Sequence, residues 1–294
     1  MKIVNYGSLN IDYTFQVDEI AQPGQTIDAS RVSRFPGGKG MNQSLALARA
    51  GMTVYHAGII GTDGLFLKNI LEKDGVNCQY LQVREDVGTG TAFIQVDRRG
   101  QNCIVLNGGA NRLNTEADCR RVLDGFAPGD WILLQNEISG VGRIIELAWE
   151  KGLKVIFNPS PMNDQVLNYD LGKVSLFLMN EDEGMRITGE QAQDDILRAM
   201  AERYPRAEVI LTLGSKGSVW SDGHTRICQD AFCVDAVDTT GAGDTFTGYV
   251  LASLAQGMPV DQSLSIASKA SAIMVTRQGA ASAIPYRNEV EAYE

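Results

Sequence analysis

The chain has 294 residues, of which 44% are hydrophobic and 21% are charged. This composition argues against a disordered chain, and the length suits one large α/β domain or two smaller ones. The formal net charge of −10 excludes a general nucleic-acid binder, whose phosphate contacts require a surplus of Lys and Arg. The same charge disfavours binding to anionic membranes.

Five cysteines are spread along the chain without a CxxC pair or the Cys/His spacing of a zinc site. Their odd number favours reduced thiols over a disulfide framework. The sequence MKIVNYGSLNID leads directly into a strand pattern, and no apolar run is long enough to span a membrane. These features predict a soluble protein of the cytoplasm.

Short β-rich runs alternate with helical stretches along most of the chain. The runs are KIVNYGS, TVYHAGIIG, DWILLQNE, KVIFNPS, LFLMNED and EVILTLGSKG. Continuous apolar runs of this length are typical of parallel strands that are buried on both faces. Helices are predicted at 40–50, 63–74, 114–124, 139–151, 190–203, 243–256 and 261–277. The pattern predicts a three-layer α/β/α sandwich with a mostly parallel central sheet.

Two regions interrupt this alternation. Residues 11–35 and 88–106 alternate polar and apolar residues, which suits strands with one face in water. The sequence DRRG, residues 97–100, predicts a hairpin turn within the second region. We expect the two regions to form a small β-sheet that acts as a lid over a site. No linker or internal repeat divides the chain, so we expect a single domain over residues 1–294.

The segment AVDTTGAGDTFTGYVLASLAQG, residues 236–257, places small residues where a helix begins. Phe246, Val250 and Leu254 recur at a spacing of four and mark a buried helix face. Helix N-termini carry unpaired N–H groups and partial positive charge, and glycines allow close approach of a ligand. The turn therefore predicts an anion-binding site, in which Asp244 either caps the helix or serves as a base beside a phosphate.

A second glycine-rich turn precedes the first predicted helix, in FPGGKGMNQSLALARAG, residues 35–51. Lys39 and Asn42 stand at the helix start, where backbone amides again face outward. The segment is not a P-loop, because Lys39 is followed by Gly40 instead of Ser or Thr. Alone, GGKG is compatible with a flexible surface turn, and its weight comes from the motif at 236–257.

Two further turns follow predicted parallel strands. TLGSKGS, residues 212–218, occupies a position where open α/β sheets bind ligands, although a plain tight turn is the simpler interpretation. Asn180 and Glu183 follow the strand LFLM, and they predict either a phosphate or Mg²⁺ neighbourhood or a capping segment. The turn after the first strand, GSLNID, lacks the GxGxxG pattern and so argues against a dinucleotide-binding fold.

The ordered pair of motifs resembles the signatures of the ribokinase-like, or pfkB, carbohydrate kinases. GGKGMNQSLALARAG is similar to the N-terminal signature and DTTGAGDTFTGYVLASLAQG to the C-terminal one, and the resemblance covers essentially the whole chain. It implies a β-sheet lid and ATP-dependent phosphorylation of a sugar hydroxyl with Mg²⁺. It also implies that Asp244 is the base and that the amides of Gly241, Ala242 and Gly243 stabilise the transferring phosphoryl group.

The resemblance also implies binding residues. For the sugar these are Asn10, Asp12, Gly38, Lys39, Asn42 and Glu137. For the nucleotide they are Asn180, Thr212, Gly214, Ser215 and Gly217, with Glu183 at the magnesium end. A monovalent-cation site of the family is matched by Asp238, Thr240, Met274, Arg277 and Gly279. This chain has Ala283 where the family offers a serine hydroxyl, with Ser282 one position earlier, so activation by K⁺ is left open.

The signatures do not select the acceptor. The polar sugar-binding set suits a neutral polyol, because acidic groups repel a phosphorylated substrate. The segment GQNCIVLNGGAN, residues 100–111, resembles that of the members that phosphorylate ribose, which makes ribose the first choice. Fructose, ketodeoxygluconate, nucleosides and sugar phosphates remain alternatives.

Two of these alternatives make demands on the lid. A sugar phosphate would require a basic clamp, for which the candidates are Arg31, Arg34, Arg98 and Arg99. A nucleoside would require stacking walls, for which only Tyr13 and Phe15 are candidates. A sugar-binding regulator on the same fold is the alternative from another class of protein. The strand edges of the lid predict a homodimer formed through the lids.

Overall fold

A computed structural model describes residues 1–293. The strands are β1 (Ile3–Tyr6), β2 (Asn10–Val17), β3 (Ala29–Gly37), β4 (Val54–Gly61), β5 (Asn77–Arg84), β6 (Gly90–Val96), β7 (Asn102–Asn107), β8 (Trp131–Gln135), β9 (Lys154–Asn158), β10 (Leu176–Asn180), β11 (Glu208–Thr212), β12 (Ser218–Ser221) and β13 (Arg226–Gln229). The helices are α1 (Lys39–Arg49), α2 (Leu65–Lys73), α3 (Glu116–Leu123), α4 (Val141–Glu150), α5 (Glu181–Thr188), α6 (Gln193–Arg203), α7 (Ala242–Ala255), α8 (Val260–Val275) and α9 (Arg287–Glu291).

The larger sheet has nine strands in the order β13-β12-β11-β10-β9-β8-β1-β4-β5. Seven neighbouring strands of this sheet pair in parallel, namely β5, β4, β1, β8, β9, β10 and β11. Strands β12 and β13 add an antiparallel edge next to β11. Every residue of β8 is buried, and in β10 only the last residue, Asn180, is exposed. Such strands are apolar throughout because helices cover both of their faces.

Two hydrophobic clusters lie on opposite faces of this sheet. Alternate residues of one strand belong to different clusters, as Ile3 and Val4 do in β1 and Leu133 and Leu134 do in β8. One cluster joins the sheet to α1, α2, α7 and α8, and the other joins it to α3, α4, α5 and α6. The predicted three-layer sandwich with a mostly parallel sheet is confirmed.

The smaller sheet has four strands in the order β3-β2-β6-β7. Strands β2 and β3 come from the predicted region 11–35, and β6 and β7 come from the region 88–106. The β2–β6 pair is parallel and the other two pairs are antiparallel. At the β6–β7 turn, Asp97 N–H donates to the Gln101 carbonyl at 3.0 Å, so DRRG forms the predicted hairpin turn.

The predicted helices begin and end within three residues of observed ones, but two short helices and three strands were not predicted. Helix α5 follows β10 without a loop, and its polar sequence EDEGMRIT shows no strong helical periodicity. Strands β12 and β13 have four residues each, which is too short for a clear strand pattern. Their pairing is antiparallel and depends on the preceding turn at 214–217.

The five cysteines are free thiols, as their spacing predicted, and Cys78 and Cys119 are buried in the hydrophobic clusters. Across residues 1–293, none of the helices combines the length and the apolar composition that a membrane crossing requires.

Candidate active site

The candidate active site lies at the edge where the parallel strands end. Asn180, the last residue of β10, is in register with Thr212, the last residue of β11. Gln135 at the end of β8 is likewise in register with Asn158 at the end of β9. Because parallel strands share one carboxyl edge, residues from distant parts of the chain meet there.

The start of α7 forms an open helix N-terminus at this edge. Gly241 precedes the helix with a φ of +86°, a left-handed conformation that side chains rarely adopt, and a Cβ there would lie 3.2 Å from the Cβ of Ala280. The N–H groups of Gly243 and Asp244 belong to the first turn, where the helix itself supplies no acceptors. The helix begins at Ala242, one residue before the predicted start, with its partial positive charge directed at the site.

The Asp244 carboxylate is buried and is bound by two amides of α1. Its Oδ1 accepts a hydrogen bond from Gln43 Nε2 at 2.8 Å, and its Oδ2 accepts one from Asn42 Nδ2 at 3.0 Å. The nearby negative charge of Asp244 raises the pKa of Lys39, so this lysine carries its positive charge at the site. The carboxylate is therefore tied to α1. The N–H groups of Gly243 and Asp244 remain available to a ligand, whereas the Ala242 N–H donates to the Thr239 carbonyl at 3.2 Å.

Asn10 and Glu137 are held by neighbouring polar groups. Asn10 Oδ1 accepts from Asn111 Nδ2 at 2.8 Å. One carboxylate oxygen of Glu137 accepts from the Ser8 hydroxyl and from the Lys39 backbone N–H, the latter at 2.9 Å. This second bond links Glu137, after β8, to the glycine-rich turn before α1, so the three segments predicted to bind sugar do meet.

Asp12 lies in the lid strand β2 beside these groups. Burial and, to a smaller extent, the negative charge of Glu137 together raise the pKa of Asp12 to about 7. Gly37 of β3 packs directly on the carboxyl group, since a Cβ at this position would lie only 2.0 Å from Asp12 Oδ2. Gly38 is similarly close to the Asn10 backbone N, at 3.0 Å from its would-be Cβ. Glycines therefore allow β3 and the turn after it to pack tightly against the predicted sugar contacts.

A cavity of about 450 Å³ lies on the other side of the α7 start. Its polar wall contains four residues predicted to bind nucleotide, namely Thr212, Gly214, Ser215 and Gly217. Ala242 and Gly243 of α7 also line it, together with the apolar side chains of Phe232 and Phe246. Asn180 is not part of this wall and lies one strand away. The cavity combines an apolar wall with a helix N-terminus, as a nucleotide requires.

Asn180 and Glu183 form a capping box at the start of α5. Asn180 Oδ1 accepts from the Glu183 N–H at 2.8 Å, and Glu183 Oε2 accepts from the Asn180 N–H at 3.0 Å. Burial raises the pKa of Glu183. Capping, one of the two roles predicted for this segment, is thus observed.

Glu183 could supply at most one carboxylate to a magnesium ion that is held mainly by phosphates. Within residues 1–293 there is no group of three or more His, Cys, Asp or Glu side chains that could hold a metal ion. Mg²⁺ commonly takes one or two carboxylates and completes its shell with water and substrate phosphates. A single carboxylate such as Glu183 satisfies that requirement only next to a bound nucleotide.

The segments predicted to bind a monovalent cation lie together behind the α7 start. The two carboxylate oxygens of Asp238 accept from the Thr240 N–H at 2.9 Å and from the Gly279 N–H at 3.0 Å. The Met274 carbonyl accepts from the Arg277 N–H at 3.0 Å. The Met274 carbonyl is thus already engaged, and a cation would have to share its oxygen and those of Asp238 with backbone donors.

Ser282 brings a hydroxyl near this segment. The neighbouring Ala283 is buried and its side chain has no ligand atom. Ser282 Oγ lies 2.9 Å from the position that a Cβ on Gly279 would occupy, so its hydroxyl faces the cation segment. The residues therefore fit a monovalent cation if Ser282 replaces the missing serine ligand.

Several side chains that the sequence did not single out contact the predicted residues. Gln43 binds Asp244, Asn111 binds Asn10, and Gln135 binds Gln43 with a donor–acceptor distance of 2.6 Å. A signal was present for Gln135, because it ends the otherwise apolar strand WILLQ and is fully buried. A polar side chain inside such a strand needs a hydrogen-bond partner, and here the partner leads to the site.

Comparison with known proteins identifies the family. The family model described as "pfkB family carbohydrate kinase" matches residues 1–287 of this chain. A ribokinase of Haemophilus influenzae is 36% identical over 293 residues, covering 96% of this chain and 95% of that protein. The chain belongs to the pfkB family of carbohydrate kinases. It is an ATP-dependent carbohydrate kinase, as the paired motifs implied.

Solved structures agree with this assignment. The ribokinase of Cryptococcus neoformans in complex with ADP gives a TM-score of 0.87 at 32% identity, covering 99% of this chain and 98% of that chain. The ribokinase of Arabidopsis thaliana complexed with ribose and ATP gives a TM-score of 0.86 at 28% identity, covering 99% and 97%. The similarity thus extends over both sheets.

Proposed function

We propose that the protein transfers the γ-phosphoryl group of ATP to a hydroxyl of ribose. The observation that carries the proposal is the position of the α7 start between two different sets of residues. Ala242 and Gly243 line the 450 Å³ cavity, whereas Asp244 is hydrogen-bonded to Asn42 of α1, the helix that follows the sugar-side turn. A phosphate in the cavity and a hydroxyl beside Asp244 would therefore meet at one helix N-terminus.

In this proposal the oxygen of the acceptor hydroxyl attacks the γ-phosphorus, and Asp244 takes the proton of that hydroxyl. The bond from the γ-phosphorus to the bridging oxygen breaks, and ADP leaves with the electron pair. The amides of Gly241, Ala242 and Gly243 stabilise the negative charge of the transferring group, and the Lys39 ammonium adds a positive charge on the same side. Mg²⁺, when bound near Glu183, would neutralise charge on the phosphates.

The charges of the lid favour a neutral acceptor over a sugar phosphate. Arg98 pairs with Asp18 at 2.7 Å and Arg99 pairs with Asp97 at 3.2 Å. Arg34 lies 3.9 Å from the centre of the Phe66 ring. Three of the four candidate arginines therefore contact other groups of the protein and are not already arranged as a clamp for a phosphate. Asp12 and Glu137 would also repel it.

The aromatic residues of the lid offer little to a nucleoside. Tyr13 stacks on Phe93 with ring centres 5.6 Å apart, and Phe15 packs on the same ring at 6.5 Å. These rings are thus partners of one another within the small sheet. The relatives at near-full coverage that are named ribokinases further support ribose as the acceptor.

An acceptor panel tests the proposal. ADP release is measured with ribose, fructose, ketodeoxygluconate, nucleosides and fructose 6-phosphate, in sodium-free buffer with and without K⁺. We expect the highest kcat/KM with ribose and a further increase with K⁺. A higher value with another acceptor contradicts ribose, and equal rates with and without K⁺ contradict the cation site. If no acceptor raises ADP release above background, the regulator alternative is favoured.

The raised pKa of Asp12 predicts a pH-dependent affinity for the sugar. Below pH 7 the carboxyl group carries a proton, and above pH 7 it is a charged acceptor for sugar hydroxyls. We expect the KM for ribose to rise by up to about tenfold per pH unit below 7. Asp12→Asn should have a higher KM without this dependence, and the KM for ATP serves as the internal control. A flat wild-type profile between pH 6 and 8 contradicts the prediction.

We also propose that two chains associate through their lids. In the edge strand β7 the exposed fractions of Ile104, Val105 and Leu106 are 51%, 62% and 57%. Apolar side chains on an open strand edge favour pairing with a second copy. By light scattering we expect twice the chain mass for the wild type and a single mass for Val105→Asp. Leu167→Asp, at a site 50% exposed on the main body, is the control. A wild-type monomer at micromolar concentration contradicts the proposal.

A further inference from the structure

A buried row of amide side chains leads from β1 to Asp244. Gln135 Nε2 donates to Asn5 Oδ1 at 2.9 Å and to Gln43 Oε1 at 2.6 Å, and Gln43 Nε2 donates to Asp244 Oδ1 at 2.8 Å. Asn5, Gln43 and Gln135 all have 0% exposed surface. Buried polar groups of this kind hold a definite orientation, because water cannot replace a lost partner.

The direction of the row is determined by a backbone carbonyl. Asn5 Nδ2 donates to the Gly40 carbonyl at 2.7 Å, and a carbonyl can only accept. The Oδ1 of Asn5 therefore faces Gln135, and Gln135 must donate to it with an amide N–H group. Gln43 then accepts with Oε1 and has only its Nε2 left for Asp244. The last group in the row is thus always a donor to the carboxylate.

The row keeps this direction although one acceptor is left unsatisfied. Within residues 1–293, the buried Gln135 Oε1 has no hydrogen-bond partner. If the Gln135 amide were turned over, its N–H groups would no longer point at Asn5 and Gln43. The observed orientation of Gln135 therefore fixes Gln43 as an acceptor toward Gln135 and a donor to Asp244.

We propose that Gln43 is a positioning residue that holds the Asp244 carboxylate oriented for the transfer step. The proposal rests on the proposed function, in which Asp244 is the base. The donors on α1 fix the direction of both Asp244 oxygens, and a base is effective only when its oxygen is positioned at the proton that it takes. The charged groups that act on Asp244 are Lys39 of α1 and Glu183 of α5. Unlike Lys39, Gln43 is a neutral donor, so its contact with Asp244 does not draw a positive charge away from the phosphates.

Gln43→Leu tests the proposal in the full chain with ribose and ATP. We expect kcat to fall about 10- to 100-fold, because a hydrogen bond to a charged group is lost, while both KM values stay within about twofold. Gln43→Glu gives a second measurement. It places a carboxyl group against Asp244, so kcat should fall at neutral pH and recover partly at lower pH, where a protonated carboxyl group can donate.

A control removes a bond of the same kind elsewhere. Gln82 Nε2 donates to Asp118 Oδ1 at 2.7 Å, remote from the site, and Gln82→Leu should leave kcat unchanged. If Gln43→Leu does not fold, the pH profile of Gln43→Glu decides. A wild-type kcat in Gln43→Leu, or a loss through KM alone, overturns the inference when Asp244→Asn is inactive. If Asp244→Asn itself keeps normal turnover, the assignment of the base fails, and the inference fails with it.

Discussion

Asp244→Asn is expected to lower kcat by at least about 10²- to 10⁴-fold, the contribution of a positioned general base. The amide cannot take the proton of the acceptor hydroxyl, although it has nearly the shape of the carboxylate. Its oxygen can accept from only one of the two donors, Asn42 and Gln43, so a small loss of stability is also expected. ATP should still bind, because the cavity at 212–217 does not contain the substituted group.

Steady-state kinetics with ribose and a nucleotide-binding titration measure the two effects separately. Asp261→Asn is a matched control, because Asp261 is also an aspartate in the first turn of a helix, α8. Asp261 is exposed and is not among the residues of the candidate active site. That variant should keep wild-type kcat. Near-normal turnover of Asp244→Asn would show that Asp244 is not the base, because its carboxylate contacts the amides of α1 and does not cap its own helix.

The start of α7 could be predicted from the sequence because its determinants are local. A positive φ at Gly241, the open N–H groups of the first turn and the apolar face that follows all lie within one short segment. The central sheet was predictable for a similar reason, since strands buried on both faces are apolar without interruption. Both features depend on neighbours in the chain and hardly on distant contacts.

The amide row at Asp244 could not be predicted in this way. Asn5, Gln43 and Gln135 come from β1, α1 and β8, and their hydrogen bonds depend on how a helix and two adjacent strands are placed. Each amide is an ordinary polar residue in its own segment. The motifs located the neighbouring Asn42, because family signatures mark positions, but the reason that Gln43 follows it appears only when the three elements are packed together.

The short edge elements show the same limit. The turn at 214–217 was recognised, but β12 and β13 after it contain only four residues each. Their structure comes from pairing with β11 and with each other, which a local pattern does not contain. The position of Asp244 in the candidate active site also depends on long-range packing, at the crossing of α1 and α7.

Gly248→Val is expected to separate these two helices. Gly248 is a buried residue in the middle of α7, and a Cβ there would lie 2.3 Å from the Cβ of Ala46 and 2.7 Å from the backbone N of Leu47. Backbone atoms of α1 cannot give way without moving the helix. We expect the free energy of unfolding to fall by about 3 kcal/mol or more and Tm to fall by roughly 6 °C or more.

The same substitution should reduce activity beyond its effect on stability. Asn42 and Gln43 lie on α1 and Asp244 lies on α7, so a wider crossing lengthens both hydrogen bonds to the carboxylate. Thermal unfolding followed by circular dichroism, with kcat measured well below the transition, separates the two effects. Gly172→Val is the control, since a Cβ there meets only Asp170 Oδ1 at an ordinary 3.4 Å. If Gly248→Val matches this control in both measurements, the close crossing does not hold the base in place, and Asp244 must owe its position to α7 alone.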